Sequence, residues 1–175
     1  THVAHRRDLV RQRVAVVGVG KLGPYHARIS SELAGVELAY VVDRDAERAG
    51  ALAGELGCGH LTSPLDLPAD LDAVSIAVPT ALHADVAVPL LERGLACLIE
   101  KPLASSLADA DRILAAAEKG GATVSVGHVE RFQPGLRKVR ELGLEPRFIE
   151  CHRLAPFSFR STDIGVVHDL MIHDL

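Results

Sequence analysis

Gly18-Val19-Gly20-Lys21-Leu22-Gly23 has the G-x-G-x-x-G spacing that lets a backbone close around a pyrophosphate. With 15 glycines in 175 residues such a triplet is weak by itself. Its setting is informative: it follows the apolar run Val14 to Val17, opens a helical stretch and precedes Asp43 at the end of the next apolar run. There the first glycine permits a tight turn, the second a close approach of the phosphates, and the third packing of helix on strand. The helix start adds N–H groups and partial positive charge. Asp43 is placed to accept hydrogen bonds from ribose hydroxyls and to repel a 2′-phosphate, which favours NAD, while the neighbouring Arg44 leaves NADP open.

Two other groupings carry proton chemistry. Lys101 stands in Glu100-Lys101-Pro102 directly after the apolar run Leu95 to Ile99, at a strand end. Asp169 and His173 are four residues apart, about 40° around a helix, and so share a face. Oxidising a secondary alcohol needs a base for the hydroxyl proton and a group that orients the oxygen, and these residue types supply both. A surface ion pair is the bland alternative for Asp169 and His173. A metal site lacks a third ligand at convincing spacing, so no metal is expected.

Those residues need a scaffold, and the chain supplies a repeating one from Arg13 to Gly127. Strand-like runs at Val14–Val17, Val36–Val42, His60–Leu61, Ala73–Val78, Leu95–Ile99 and Val124–Val126 alternate with helical stretches. The helices are expected at Leu22–Ala34, at Asp45–Leu56 closed by Gly57, from a Thr80 cap to Arg93, and from a Ser106 cap to Gly120-Gly121. Pro89 should kink the third of these. Leu107, Ala110, Ile113, Leu114 and Ala117 mark the fourth's apolar face. The fold class is therefore α/β, a Rossmann-type doubly wound parallel sheet over residues 13–127. Residues 128–175 read as the beginning of an α+β substrate and oligomerisation domain, with a short helix, a strand over Arg147–Leu154 and a final helical pattern.

The series of the glycine loop, Val78-Pro79-Thr80 with His83, Glu100-Lys101-Pro102 and Asp169-Leu-Met-Ile-His173 resembles the Gfo/Idh/MocA oxidoreductases in order and spacing. Val126-Gly-His-Val-Glu-Arg-Phe-Gln-Pro134, His152-Arg-Leu-Ala-Pro-Phe-Ser158 and Thr162-Asp-Ile-Gly-Val-Val167 look most like its UDP-N-acetylglucosamine 3-dehydrogenase branch. Gln133, Phe159, Ser161 and His168 depart from that pattern, which bears on substrate fit more than on cofactor binding. The resemblance implies NAD (or NADP) held by Gly18, Gly20, Lys21, Leu22, Gly23, Asp43, Arg44, Pro79, Thr80, His83, Glu100 and Lys101. It also implies a catalytic set of Lys101, Asp169 and His173, with His173 as acid/base. A sugar or nucleotide-sugar substrate would meet Lys101, His128, Arg131, His152, Arg153, Asp169 and His173. Family members are longer and commonly homo-oligomeric, so the chain reads as C-terminally truncated. A dehydrogenase of another sugar or cyclitol, or a nucleotide-binding fragment without turnover, remains the alternative.

Composition agrees with a folded domain: 48% hydrophobic, 24% charged, only 3% aromatic, hence an aliphatic core. A net charge of −4 gives no general pull on nucleic acid or anionic membrane. Cys58, Cys97 and Cys151 are odd in number and far apart, which fits a reducing compartment and a cytoplasmic protein. Cys97 lies in an apolar strand and reads as core; His26 reads as packing or capping.

Overall fold

The computed structural model describes residues 11–150, 152 and 171–173. Six strands form one parallel sheet: β1 (Gln12–Val17), β2 (Val36–Val42), β3 (Gly59–Leu61), β4 (Ala73–Ile76), β5 (Ala96–Ile99) and β6 (Val124–Val126). Their spatial order is β3-β2-β1-β4-β5-β6. Four helices connect them: α1 (Gly23–Glu32), α2 (Ala46–Leu56), α3 (His83–Glu92) and α4 (Leu107–Gly120). The chain runs outward from β1 in one direction and then in the other, so the strand order reverses between β1 and β4.

Short-range chemistry explains most element ends. The Asp45 carboxylate accepts from the Arg48 N–H and starts α2, and Gly57 ends it in the left-handed region at φ 69°. Ser106 accepts from the Asp109 N–H and starts α4, which Gly121 closes at φ 62°. The core lies on both faces of the sheet. Val17, Val74, Ile76, Cys97 and Ile99 pack under α3 and α4, while Val16 and Val41 pack under α1 and α2. Registers place Leu61, Val42, Val17, Ile76, Ile99 and Val126 in one row across the sheet. Gly18, Asp43, Ala77, Glu100 and Gly127 each stand one residue beyond that row, along the carboxyl edge.

Three sequence expectations change. Thr80 is not a helix cap: it lies buried in a 3-10 turn, Thr80–Leu82, and α3 begins at His83. Pro89 lies inside α3, which runs on past it to Glu92; burial of Ala84, Ala87, Leu90 and Leu91 offsets the lost helical bond, a cost of about 3 kcal/mol. The face of α4 is narrower than its composition: Ile113, Ala116 and Ala117 are buried, whereas Leu107 is 86% exposed and Leu114 is also exposed. Only the stripe that meets α3 is covered. Finally, Arg147–Glu150 form no strand, and Phe148 and Ile149 stand exposed. Strand-forming residues need a neighbouring edge to pair with, and none of the described strands is paired with this segment. After β6 come a 3-10 turn (Val129–Phe132) and α5 (Pro134–Glu141).

Candidate cofactor and active site

The glycine loop lies at the carboxyl ends of β1 and β4, where the strand order reverses and the connections leave to opposite sides of the sheet, the place where a doubly wound fold forms its crevice. Gly18 has φ 86°, and a Cβ there would meet Val78 Cγ1 at 2.7 Å and the Ala77 carbonyl oxygen at 2.8 Å. It must be glycine for the fold itself, because β1 and β4 exit this close together. A Cβ at Gly23 would collide with the Gly18 carbonyl, so this glycine lets α1 fold back on its own loop. Gly20 is different. Its backbone is not in the left-handed region, and among the described residues nothing lies within 4 Å of where its Cβ would stand. No described atom requires a glycine there, and open space beside a loop of this spacing is what a dinucleotide's phosphates would need. Lys21 and Leu22 are exposed beside it; Leu22 precedes α1 without a side-chain cap and no acidic residue occupies the first turn. The helix start thus keeps its positive end toward that space.

Asp43 is buried and shapes the loop as much as it faces a ligand. Its Oδ2 accepts from the Val19 N–H at 2.9 Å and its Oδ1 from the Asp45 N–H at 3.0 Å. Arg44 is exposed next to it. The sequence reading passed over Arg48, whose guanidinium lies 3.4 Å from Asp43 Oδ2 and 3.1 Å from Asp45 Oδ2. Its place in the first turn of α2, facing back to the strand end, was the available signal. Two acidic and two basic side chains therefore gather where a ribose would sit.

On the other side of the crevice, Glu100 continues β5 and its N–H donates to the Ile76 carbonyl at 3.0 Å. The Lys101-Pro102 peptide is cis. Lys101 is partly exposed at this turn. Glu100 is only 15% exposed; burial pushes its carboxyl up, but His26, the Lys101 N–H and the Lys101 charge together hold it below the usual range. His83, expected to touch the cofactor, is 1% exposed. Its Nδ1 lies 3.0 Å and 3.2 Å from the carbonyl oxygens of Pro102 and Leu103, and its Nε2 lies 3.0 Å from that of Val78. The ring is turned inward between the Pro79 and Pro102 turns, and its one N–H in the neutral form serves a carbonyl oxygen of one of them. Pro79 and Thr80 follow β4 at the carboxyl edge, Thr80 buried.

The outer candidates are less assembled. His128 is half-buried just after β6 and Arg131 is exposed. His152 is exposed and pairs with Glu150 at 2.9 Å. Arg153 and Asp169 lie outside the described residues; of His173 only the backbone is described, in a 3-10 turn over Met171–His173. Cys97 is buried core, its thiol pushed by burial up to about 12, as expected of a residue that is no nucleophile. Among the described residues no group of three His, Cys, Asp or Glu side chains could hold a metal ion. No helix there is long and apolar enough to cross a membrane.

A glycine loop at the β1/β4 reversal, with an acidic residue ending β2, defines a dinucleotide-binding Rossmann domain. The chain belongs to the Gfo/Idh/MocA oxidoreductase family with an NAD-binding Rossmann fold, whose family model matches residues 12–128. It is 42% identical to UDP-N-acetylglucosamine 3-dehydrogenase of Acidithiobacillus ferrooxidans over 168 residues, covering 95% of this chain and 53% of that protein. The solved structure of that enzyme superposes with a TM-score of 0.86 over 94% of this chain and 54% of its own. Inositol 2-dehydrogenase of Mycolicibacterium smegmatis is 37% identical, over 93% of this chain and 50% of that protein. A protein of gentamicin A biosynthesis, solved in complex with NAD, is 32% identical with a TM-score of 0.71, over 75% of this chain and 38% of its own. The chain spans about half the length of the curated relatives it matches.

Proposed function

We propose that this chain carries the cofactor half and the first catalytic segment of an NAD-dependent dehydrogenase that oxidises a secondary hydroxyl of a sugar, the 3-hydroxyl of UDP-N-acetylglucosamine. The observation that carries the cofactor reading is Gly20, a glycine with open space at its Cβ position beside a helix start without an acidic first turn. The relative of that activity, similar over 95% of this chain, supports the substrate.

NAD would supply the hydride acceptor. Gly18 to Gly23 would hold its phosphates and Asp43 its ribose. Lys101, directly beyond the β5 edge, would orient the substrate oxygen and support charge that develops on it. His173 would take the hydroxyl proton, with Asp169 fixing its imidazole. His128, Arg131, His152 and Arg153 are the proposed contacts to sugar and diphosphate, and residues 128–175 the start of the substrate domain. The chain would act in the cytoplasm and the longer protein as a homo-oligomer.

Titration with NAD and NADP by calorimetry, with UDP-N-acetylglucosamine added and reduced nicotinamide followed by absorbance, tests the reading. NAD binding with reduction lost in Lys101→Ala supports it. Reduction with inositol but not with the nucleotide sugar would replace the substrate, and no binding of either cofactor would overturn the site.

A further inference from the structure

We propose that His26 is a positioning residue for Lys101, acting through Glu100, and that it ties the phosphate-loop helix to the catalytic turn. This rests on the reading of Lys101 above. His26 leaves α1 three residues after Gly23. Its Nδ1 is 2.7 Å from Ser75 Oγ in β4, and its Nε2 is 3.0 Å from Glu100 Oε1 beyond β5. The other Glu100 oxygen, Oε2, accepts from the Lys101 N–H at 3.2 Å. Three elements separated in sequence by up to 74 residues are joined by hydrogen bonds that end on the backbone of Lys101.

The carboxylate has little freedom to turn elsewhere. A Cβ at Gly127 would stand 2.8 Å from Glu100 Oε1, so the β6 end packs directly against it, and both its oxygens are engaged inward. Glu100 thus has one oxygen toward His26 and the other on the Lys101 N–H. The chain is also chemically complete in either state of the ring. A neutral His26 donates from Nε2 to Glu100 and accepts the Ser75 hydroxyl proton at Nδ1; a charged ring donates at both nitrogens and Ser75 accepts. The order Ser75, His26, Glu100 has the form of a nucleophile with its base and orienting acid. Ser75, however, lies inside β4 with strands paired on both sides, and its hydroxyl is engaged by His26.

The test uses the 175-residue chain with 15N-labelled lysine, of which it has four: Lys21, Lys101, Lys119 and Lys138. In His26→Ala the Lys101 amide should shift and exchange its hydrogen at least about tenfold faster, while Lys119 and Lys138 stay in place. His26→Gln, which keeps a donor for Glu100, should restore most of the wild-type position. Glu100→Gln should itself move Lys101, and adding His26→Ala to it should change little more. A general loosening of packing would show neither the rescue nor this non-additivity. An unmoved Lys101 amide in His26→Ala, or equal effects of His26→Ala with and without the Glu100 carboxylate, overturns the proposal. The same samples titrated with NAD separate the two readings: absence of NAD binding in the wild-type chain refutes the cofactor site, while the lysine amides still judge the tie.

Discussion

Gly18 and Gly20 sit two residues apart in one motif, yet the structure gives them opposite reasons for being glycine. Alanine at each separates fold from ligand. At Gly18, a left-handed φ of 86° costs a side chain about 1–2 kcal/mol. The new methyl would also press on Val78 Cγ1 and the Ala77 carbonyl, adding overpacking of about 1–3 kcal/mol. Gly18→Ala should therefore lose roughly 2–5 kcal/mol, a large share of the stability of a small domain. At Gly20 neither cost applies, and restricting the unfolded chain should make Gly20→Ala neutral or more stable by about 0.4–1 kcal/mol. Its penalty should fall on the cofactor: a methyl in the open space beside the loop should weaken NAD at least about tenfold, or about 1.4 kcal/mol. Urea unfolding and NAD calorimetry on the two variants read the two quantities separately. A Gly20→Ala chain that binds NAD as the wild type does would show that the open space is not the ligand's and would remove the main support for the cofactor site.

Other outcomes follow from single contacts. Arg48 partly neutralises Asp43, so Arg48→Ala should raise the ratio of NAD to NADP affinity severalfold, and an unchanged ratio in paired titrations would place Arg48 away from the ribose. Glu100 has its carboxyl held below the usual range, so its contribution is present above the ordinary glutamate value of about 4.3 and is lost as pH falls through the lower folded value. The stability gap between wild type and Glu100→Gln, measured by urea unfolding, should stay constant from pH 7 to about pH 5 and narrow only below about pH 4.3, as pH falls toward the lower folded value; a gap that stays constant through that acid range would refute the pairing. Cys97, pushed up to about 12, stays a thiol at pH 8, so in a Cys151→Ser chain a thiol reagent should modify half-buried Cys58 well before Cys97 until urea is added. Equal rates in the folded chain would contradict the buried placement. His83→Ala removes a fully buried ring whose N–H serves a carbonyl oxygen of the Pro79 or Pro102 turn, and should cost about 1–3 kcal/mol in the same unfolding assay, since that oxygen is left without its partner.

The sequence by itself determined the parts whose cause is local. β2 was legible at Val36–Val42 because seven residues of β-forming composition end at a charged pair, and α2 and α4 because Asp45, Ser106, Gly57 and Gly121 are caps that act within one turn. The glycine loop and Asp43 were legible for the same reason: each is a strand end with its turn. Tertiary structure alone decided which of those residues face outward and which are spent inside. His83 looked like a cofactor contact until its ring met carbonyl oxygens up to 20 residues away, and His26 looked like packing until Ser75 and Glu100, 49 and 74 residues on, closed on its two nitrogens. Leu107 and Leu114 were apolar in sequence, but only the stripe of α4 against α3 is covered. Arg147–Glu150 carried strand-forming residues but pair with none of the described strands. Periodicity, caps and left-handed turns are settled by a few neighbouring residues, whereas a hydrogen-bond partner, a buried face or a paired edge exists only once distant strands have been brought together.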